Sequence, residues 1–298
     1  MNRYAIAGLA LIIGAIVALW MVLVDPFGIK TGDSHYVHPR MVRYGFTVTN
    51  TTNQLIRNAE LLVRAPVKRT AHQICSQLTV SAQFQTLEDQ LGNQVLRLIL
   101  TEMPPFGTRI ITVTADLMMA DAPGRISLDD EAVWLAAEPF VEAADPDIRA
   151  EAKKLAAGNP METAARINAW TADHIDYSGY TANERGAQYA YKNRKGDCTE
   201  YMDLFVALSR AAGIPARGIG GFICPESANL APAGYHNWAE FHDGKTWKTA
   251  DPQNRMFVEK ARDYVVMRVI SASREKTEMR FDRFRMTTEG LKVVMNDN

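Results

Sequence analysis

Residues 195–217 have the sequence KGDCTEYMDLFVALSRAAGIPAR, and this stretch decides the fold of the second half of the chain. Asp197 is a favourable helix N-cap. An apolar stripe at helical spacing follows it: Leu204, Phe205, Leu208 and Ala211. Gly213 stands where such a helix should end, and Pro215 prevents its continuation. The pattern predicts one helix with a buried apolar face and with Cys198 in its first turn.

Cys198 differs from a structural cysteine in its sequence position. It lies between the N-cap Asp197 and the polar pair Thr199 and Glu200, whereas structural cysteines are usually buried among apolar residues. The positive end of the helix dipole favours the thiolate at this position, and the thiolate is the nucleophilic form. We therefore predict that Cys198 is a catalytic nucleophile.

A thiol nucleophile needs a base, and His236 stands out among the six histidines because of the residues that follow it. Residues 236–242, HNWAEFH, alternate like a strand. Asp243-Gly244 is a strong hairpin signal, and residues 245–250, KTWKTA, form a second strand pattern that Asp251-Pro252 closes. The sequence predicts a β-hairpin that begins with the histidine and ends with Asp251.

The register of this hairpin follows from the length of its loop. A two-residue loop pairs residue 242 with residue 245, which places His236 directly opposite Asp251 and Trp238 opposite Thr249. A carboxylate opposite an imidazole can accept its N–H, fix its tautomer and stabilise the imidazolium. If the hairpin docks against the helix of Cys198, the three side chains make a catalytic triad, but periodicity alone does not establish that docking.

These motifs resemble the core of transglutaminase-like proteins. The resemblance covers residues 145–253, and three motifs support it in the family's order: residues 196–200 with the helix behind them, residues 236–240, and Trp247 with Asp251-Pro252. It implies an α+β, papain-like core in which the cysteine lies on a helix packed against an antiparallel sheet with the histidine and the aspartate. A small β-domain before this core is also similar to what bacterial members have.

The resemblance implies acyl transfer on protein or peptide amides. Cys198 attacks the carbonyl and leaves a thioester, His236 acts as base and then acid, and Asp251 holds the ring. Water then gives a peptidase or amidase and an amine gives a transglutaminase, and the sequence does not separate the two. No cofactor or metal is needed. The alternative is a catalytically silent, membrane-anchored binding or structural subunit that keeps the fold.

The same chemistry requires a site for the oxyanion. The resemblance implies backbone N–H groups, with that of Cys198 among them, together with one side chain. Three residues of the loop before the cysteine are candidates for that side chain, and the sequence does not choose among them: Gln188, Tyr189 and Tyr191.

The first 30 residues predict an N-terminal transmembrane anchor. Residues 5–24 are uncharged and long enough to span the hydrocarbon core, with Arg3 before them and Asp25 after them. Positive charge stays in the cytoplasm, so the catalytic domain is expected in the periplasm of a bacterium, on a single-pass inner-membrane protein. A cleaved signal peptide is the alternative, although no small-residue cleavage motif follows. Small residues spaced by four leave room for a membrane-protein partner: Ala10, Gly14 and Ala18.

Residues 31–125 predict a β-sandwich-like domain, and residues 126–298 the catalytic domain. Alternating apolar residues predict the first strand: Val42, Tyr44, Phe46 and Val48. Further β-type runs cover residues 61–67, 95–100 and 110–117. Residues 119–145 have the composition of a linker, and helices are expected from residue 145 to 155 and from 161 to 174.

Composition excludes other classes of function. The formal net charge of -1 and the lack of a long basic stripe argue against nucleic-acid binding. Three cysteines are too few for a disulfide scaffold, although a bond between Cys75 and Cys224 stays open. Arg217 is expected to pair with a carboxylate such as Glu240. The mixed charges after Ala272 are interpreted as a solvated face.

Overall fold

The computed structural model of the chain describes residues 35–297. The helices in this part are α1 Glu131–Leu135, α2 Pro146–Leu155, α3 Pro160–His174, α4 Gly186–Asn193 and α5 Cys198–Ala211. The longer strands are β1 His38–Asn50, β2 Ile56–Ala65, β3 Gln73–Val80, β4 Phe84–Glu88, β5 Gln94–Met103, β6 Thr108–Met119, β9 Ala216–Ile223, β11 Tyr235–His242, β12 Trp247–Asp251, β14 Tyr264–Ile270, β15 Phe284–Met286 and β16 Leu291–Met295. Four strands have two residues each: β7 Asp176–Tyr177, β8 Lys195–Gly196, β10 Ala228–Asn229 and β13 Met256–Phe257.

Two sheets form the first part of the described chain. Their strand orders are β10-β1-β6-β3, with β16 also paired to β1, and β15-β2-β5-β4. The alternating residues predicted for β1 are buried, and they share one core with residues of the second sheet such as Leu61 and Leu98. Strands β3 and β4 were not predicted, because most of their residues are at least partly exposed and show no clean apolar alternation.

The C-terminal residues return to these two sheets. Strand β15 pairs with β2, and β16 pairs with β1. The interpretation of the residues after Ala272 as a solvated face is wrong at Glu275 and Met279, which are both buried. A carboxylate can be buried there because two guanidinium groups, those of Arg64 and Arg268, pair with it. The predicted division at residues 125 and 126 stays a prediction.

The second part combines helices with a five-stranded antiparallel sheet of order β13-β12-β11-β9-β14. Helix α5 is central, because α2, α3 and α4 pack on it and it packs on β9 and β11. Ile148, Ile167 and Phe205 lie in the core between these layers, together with Phe241 of the sheet. The predicted α+β class is confirmed, and α2 and α3 begin and end within one residue of the expected bounds.

Between residues 35 and 297, no helix is both long enough and apolar enough to cross a bilayer. The predicted membrane anchor, residues 5–24, lies outside the described residues.

Candidate active site

The start of helix α5 is held by a capping box. The Asp197 carboxylate accepts the N–H of Thr199 at 2.9 Å, and the Glu200 carboxylate accepts the N–H of Asp197 at 2.9 Å. A Cβ at Gly196 would lie 2.5 Å from the Cβ of Glu200, so only glycine fits this turn. The capping box fixes Cys198 at the first position of the helix, as the sequence predicts.

The hairpin that contains His236 has a longer loop than predicted. Strands β11 and β12 pair from Ala239 opposite Ala250 to His242 opposite Trp247, so the loop has four residues. The prediction of a two-residue loop is wrong. The Asp243 carboxylate accepts the N–H groups of both Lys245 and Thr246, each at 2.8 Å, and so stabilises a wider turn.

The longer loop shifts the pairing by two residues. Thr249 lies opposite Glu240 rather than Trp238, and extension of the ladder puts Asp251 opposite Trp238 rather than His236. A shift of two residues leaves every side chain on its original face, whereas a shift of one would reverse them. His236 and Asp251 therefore still meet, on a diagonal, with 2.7 Å between Nε2 and Oδ2.

Asp251 is completely buried and has several hydrogen-bond donors around it. Its Oδ2 atom accepts from His236, from Nδ2 of Asn254 at 2.7 Å and from the hydroxyl of Tyr264 at 3.0 Å. Burial alone would raise the pKa of this carboxyl group. The hydrogen bond and charge of His236, together with the hydrogen bonds of Asn254, outweigh burial and lower the pKa. Asp251 is therefore an ionised acceptor at neutral pH.

The His236 ring lies between Asp251 and Cys198. Because Nε2 bonds to Asp251, Nδ1 is the ring nitrogen left for the Cys198 sulfur. Burial lowers the pKa of His236, but its hydrogen bonds to Asp251 and Cys198, and the charges of the same two groups, raise that pKa to about 9. This environment favours the imidazolium form at neutral pH.

Packing fixes the position of the His236 ring. The Trp238 indole stacks near it, with 6.1 Å between ring centroids and 25° between planes. Space for the indole comes from Gly221 on β9, because a Cβ there would lie 2.7 Å from the Trp238 ring. Nδ2 of Asn237 donates to Oγ1 of Thr199 at 2.9 Å and so links the hairpin to the Cys198 helix. The hairpin therefore docks against the Cys198 helix, which the sequence alone did not establish.

Cys198 and His236 line one cleft of about 710 Å³. The predicted oxyanion candidates do not line it: Gln188 bonds to Asp145, Tyr189 to Arg185, and Tyr191 to Glu151. Two exposed tyrosines that precede α4 line it instead, Tyr177 at the end of β7 and Tyr180.

Sequence reasoning missed several residues around the site. Asn254 follows Asp251 by three residues and could have been noticed from that spacing, as a side chain at the end of the same hairpin. Tyr264 and Arg283 come from β14 and from the residue before β15, and no local pattern connects them to the hairpin. The structure brings the predicted Cys198, His236 and Asp251 together, and their catalytic roles stay a prediction.

Two further expectations concern residues outside the triad. The Arg217 guanidinium donates twice to Glu240, at 2.8 and 2.6 Å, which confirms that pair. Cys75 and Cys224 are both free thiols, so the open possibility of a disulfide between them is not realised. Burial raises the pKa of Cys75 to about 12 and that of Cys224 to about 11, so neither is a reactive thiolate.

Known proteins resemble this chain in fold. The comparison with curated proteins found no match. Among solved structures, a candidate cysteine protease from Cytophaga hutchinsonii is 17% identical, with a TM-score of 0.54 over 87% of this chain and 92% of that one. The periplasmic domain of TgpA from Pseudomonas aeruginosa is 19% identical, with a TM-score of 0.40 over 76% of this chain and 92% of that one. Residues 149–252 match the family model of the transglutaminase-like superfamily, and this part of the chain is a transglutaminase-like core domain.

Proposed function

We propose that this protein catalyses thiol-dependent acyl transfer on protein or peptide amides, with Cys198, His236 and Asp251 as its catalytic residues. One observation supports this most strongly: the His236 ring lies 2.7 Å from an ionised carboxylate and lines the same cleft as a thiol at a helix start. A base held in this way, beside a cleft large enough for a substrate, meets the geometric requirements of nucleophilic catalysis.

In the first half of the reaction, the Cys198 thiolate attacks the carbonyl carbon of the amide. The C–N bond breaks as the His236 imidazolium gives its proton to the departing amine nitrogen, and the acyl group remains on Sγ as a thioester. Asp251 keeps Nε2 as a donor throughout, so that Nδ1 is the nitrogen that exchanges protons.

In the second half, water or a primary amine attacks the thioester. Neutral His236 takes the proton of the attacking group, the C–S bond breaks, and the imidazolium and thiolate are restored. Water gives a peptidase or amidase, and an amine gives a transglutaminase. The oxyanion of both steps would be bound by the backbone N–H of Cys198, because the first N–H groups of a helix have no partner inside it.

The proposed cellular location is the periplasmic side of a bacterial inner membrane. It depends on residues 5–24 alone, whose length and lack of charge suit a single membrane span that follows the positive N-terminal end.

The deciding experiment uses the full chain in detergent and compares wild type, Cys198→Ala and Cys75→Ala. Each is tested for labelling by an iodoacetamide probe, for peptide cleavage, and for incorporation of a labelled primary amine into a glutamine peptide. We expect Cys75→Ala to behave like wild type and Cys198→Ala to lose all activity, since Cys75 lies outside the cleft. If wild type and Cys198→Ala behave alike in all three assays, the enzyme proposal fails and the silent subunit is favoured.

A further inference from the structure

A buried ion network connects β14 of the catalytic sheet to β2 of the second sheet. Glu275 accepts from Nη2 of Arg64 at 3.1 Å and from Nε and Nη2 of Arg268 at 2.7 and 2.8 Å. The Arg64 and Glu275 side chains are each only 1% exposed. Buried charges are costly unless each has a partner, so the network requires residues 271–285 to stay in this position.

This C-terminal segment forms one wall of the cleft. Asp282 and Arg283 line the cleft together with Cys198 and His236, and so does Arg268 of β14. These wall residues lie outside residues 149–252, the part that matches the family model. The wall therefore lies outside the matched core domain, and it bounds the space in which a substrate must lie.

One guanidinium group on this wall, that of Arg283, has no carboxylate partner among the described residues. Arg268 bonds to Asp282 at 2.8 Å as well as to Glu275, so each of its three guanidinium nitrogens already donates to a carboxylate. Arg283 is half-buried, lies 5.9 Å from the centre of the Tyr235 ring, and donates from Nη1 to the backbone oxygen of Pro232 at 2.9 Å. Among the ion pairs of residues 35–297, none includes Arg283.

A guanidinium group has five N–H donors in a planar fork that matches a carboxylate. One donor of Arg283 is used by a neutral oxygen, and its position over an aromatic ring limits its motion. Glu184 is the other exposed carboxylate of the cleft, and it forms no ion pair with Arg283. The group is therefore charged, partly immobilised and available to a ligand.

We propose that Arg283 is a specificity-determining residue that binds a carboxylate of the substrate while Cys198 attacks the amide. The proposal rests on the proposed function for the identity of the reacting group. The carboxylate belongs either to the C-terminus of a peptide or to an acidic side chain, and the same bidentate pairing would bind both.

The test uses chloroacetyl peptides, which alkylate a cysteine thiol without turnover. Chloroacetyl-(Gly)n with n from one to four is made with a free carboxylate and as the amide, because each residue adds at most about 3.3–3.6 Å of reach. A second pair of the same lengths ends in Glu-amide or Gln-amide, which distinguishes a side-chain carboxylate from a terminal one. The rate at Cys198 is measured by peptide mass in the full chain and divided by the iodoacetamide rate of the same variant.

We expect the carboxylate reagent to react about tenfold faster than its amide at one or more lengths, as one charge-assisted pair allows. Arg283→Gln should remove this preference. The matched control is Arg285→Gln, two residues further on β15 and outside the cleft, which should keep it. Glu184→Gln should increase the preference, since it removes a competing negative charge.

Equal rates for carboxylate and amide at all lengths, or an unchanged preference in Arg283→Gln, would overturn the proposal. The two proposals can fail separately. If Cys198 is alkylated with a carboxylate preference but the protein turns over no amide, the proposed function is contradicted and the carboxylate-binding role of Arg283 is supported. If Cys198 resists every reagent, binding of the acetyl peptide pairs is compared by ligand-observed NMR. Equal binding of carboxylate and amide then rejects the role of Arg283.

Discussion

Asp251 at the end of the hairpin and Asp203 on helix α5 are both buried, and the two carboxyl groups differ in charge. Asp251 on the hairpin is fully buried, accepts hydrogen bonds from three side chains, and has a lowered pKa. Asp203 on helix α5 is 2% exposed, and its Oδ2 atom has no hydrogen-bond partner among the described residues. Burial raises the pKa of Asp203 far above its usual value, and the charges of Glu184 and Glu200 add to this.

The comparison teaches that partners, rather than burial, decide the charge of a carboxyl group in this protein. Both groups lose nearly all contact with water, which disfavours the ionised form. Only for Asp251 is the lost hydration of the ionised form replaced, because three donors converge on one of its oxygen atoms. The ionised group is next to His236, where a negative charge is useful, and the neutral group lies further along the helix.

The largest effect is expected from Asp251→Asn, which keeps the size of the side chain and removes its charge. The amide cannot stabilise an imidazolium and presents His236 with the wrong hydrogen-bond pattern. We expect kcat/KM to fall by between about 10² and 10⁴-fold. Steady-state kinetics on the substrate found with wild type measure this, and Asp243→Asn in the hairpin loop is the control. Activity within a factor of two of wild type would reject Asp251 as the partner of the base.

The next effect concerns the protonation of His236, measured by the NMR signals of its ring across pH. The apparent pKa should be about 9 in wild type and lower in both Cys198→Ala and Asp251→Asn, because each variant removes a hydrogen bond and a charge that raise it. A variant with an unchanged pKa would show that the replaced group does not contact the ring.

The same shift predicts a pH dependence of stability. A histidine whose pKa rises on folding stabilises the protein fully below its unfolded pKa of about 6.5, and that contribution is lost as pH rises to about 9. The free energy of unfolding of wild type should therefore fall by up to about 3 kcal/mol over this interval. His236→Gln should not show the decline in urea titrations at each pH.

Local patterns predicted the two elements of the site and the residues they present. The Cys198 helix follows from its cap and its glycine and proline stop signals, and the structure has it from Cys198 to Ala211. The meeting of His236 and Asp251 was predicted although the loop length was wrong, because an even shift preserves the face. The loop itself depends on the hydrogen bonds of Asp243, which residue types alone did not reveal.

Contacts between distant residues were beyond a single sequence. Tyr264 reaches Asp251 from another strand, and Glu275 reaches Arg64 across 211 positions. In the sequence, the charged residues near Glu275 resemble those of a solvated surface, because a buried ion pair produces no periodic pattern of residue types. The wall of the cleft was therefore not foreseen.

A moderate effect is expected from Tyr264→Phe, which removes one donor from Asp251 and leaves the ring. Asp251 keeps its bonds to His236 and Asn254, so we expect kcat/KM to fall by about tenfold, and the free energy of unfolding by about 1 kcal/mol, as for one hydrogen bond. Tyr201→Phe, whose hydroxyl donates to the backbone oxygen of Ile175, is the control for a hydroxyl lost outside the triad. An equal loss of activity in both variants would mean that the hydroxyl of Tyr264 has no special role in orienting Asp251.

The smallest effect on activity is expected from Asp203→Asn, because a neutral amide replaces a carboxyl group that is already neutral. Its effect on stability depends on pH. A carboxyl group whose pKa rises on folding binds its proton more tightly in the folded state, so wild type should lose stability as pH rises above about 4, the unfolded value, until the raised folded pKa is reached. Asparagine cannot ionise, so the variant should lack this decline, and its free energy of unfolding relative to wild type should increase from pH 4 to pH 7. If the difference in free energy of unfolding between variant and wild type stays constant across that interval, Asp203 is ionised like Asp251. A hydrogen-bond donor would then compensate its burial.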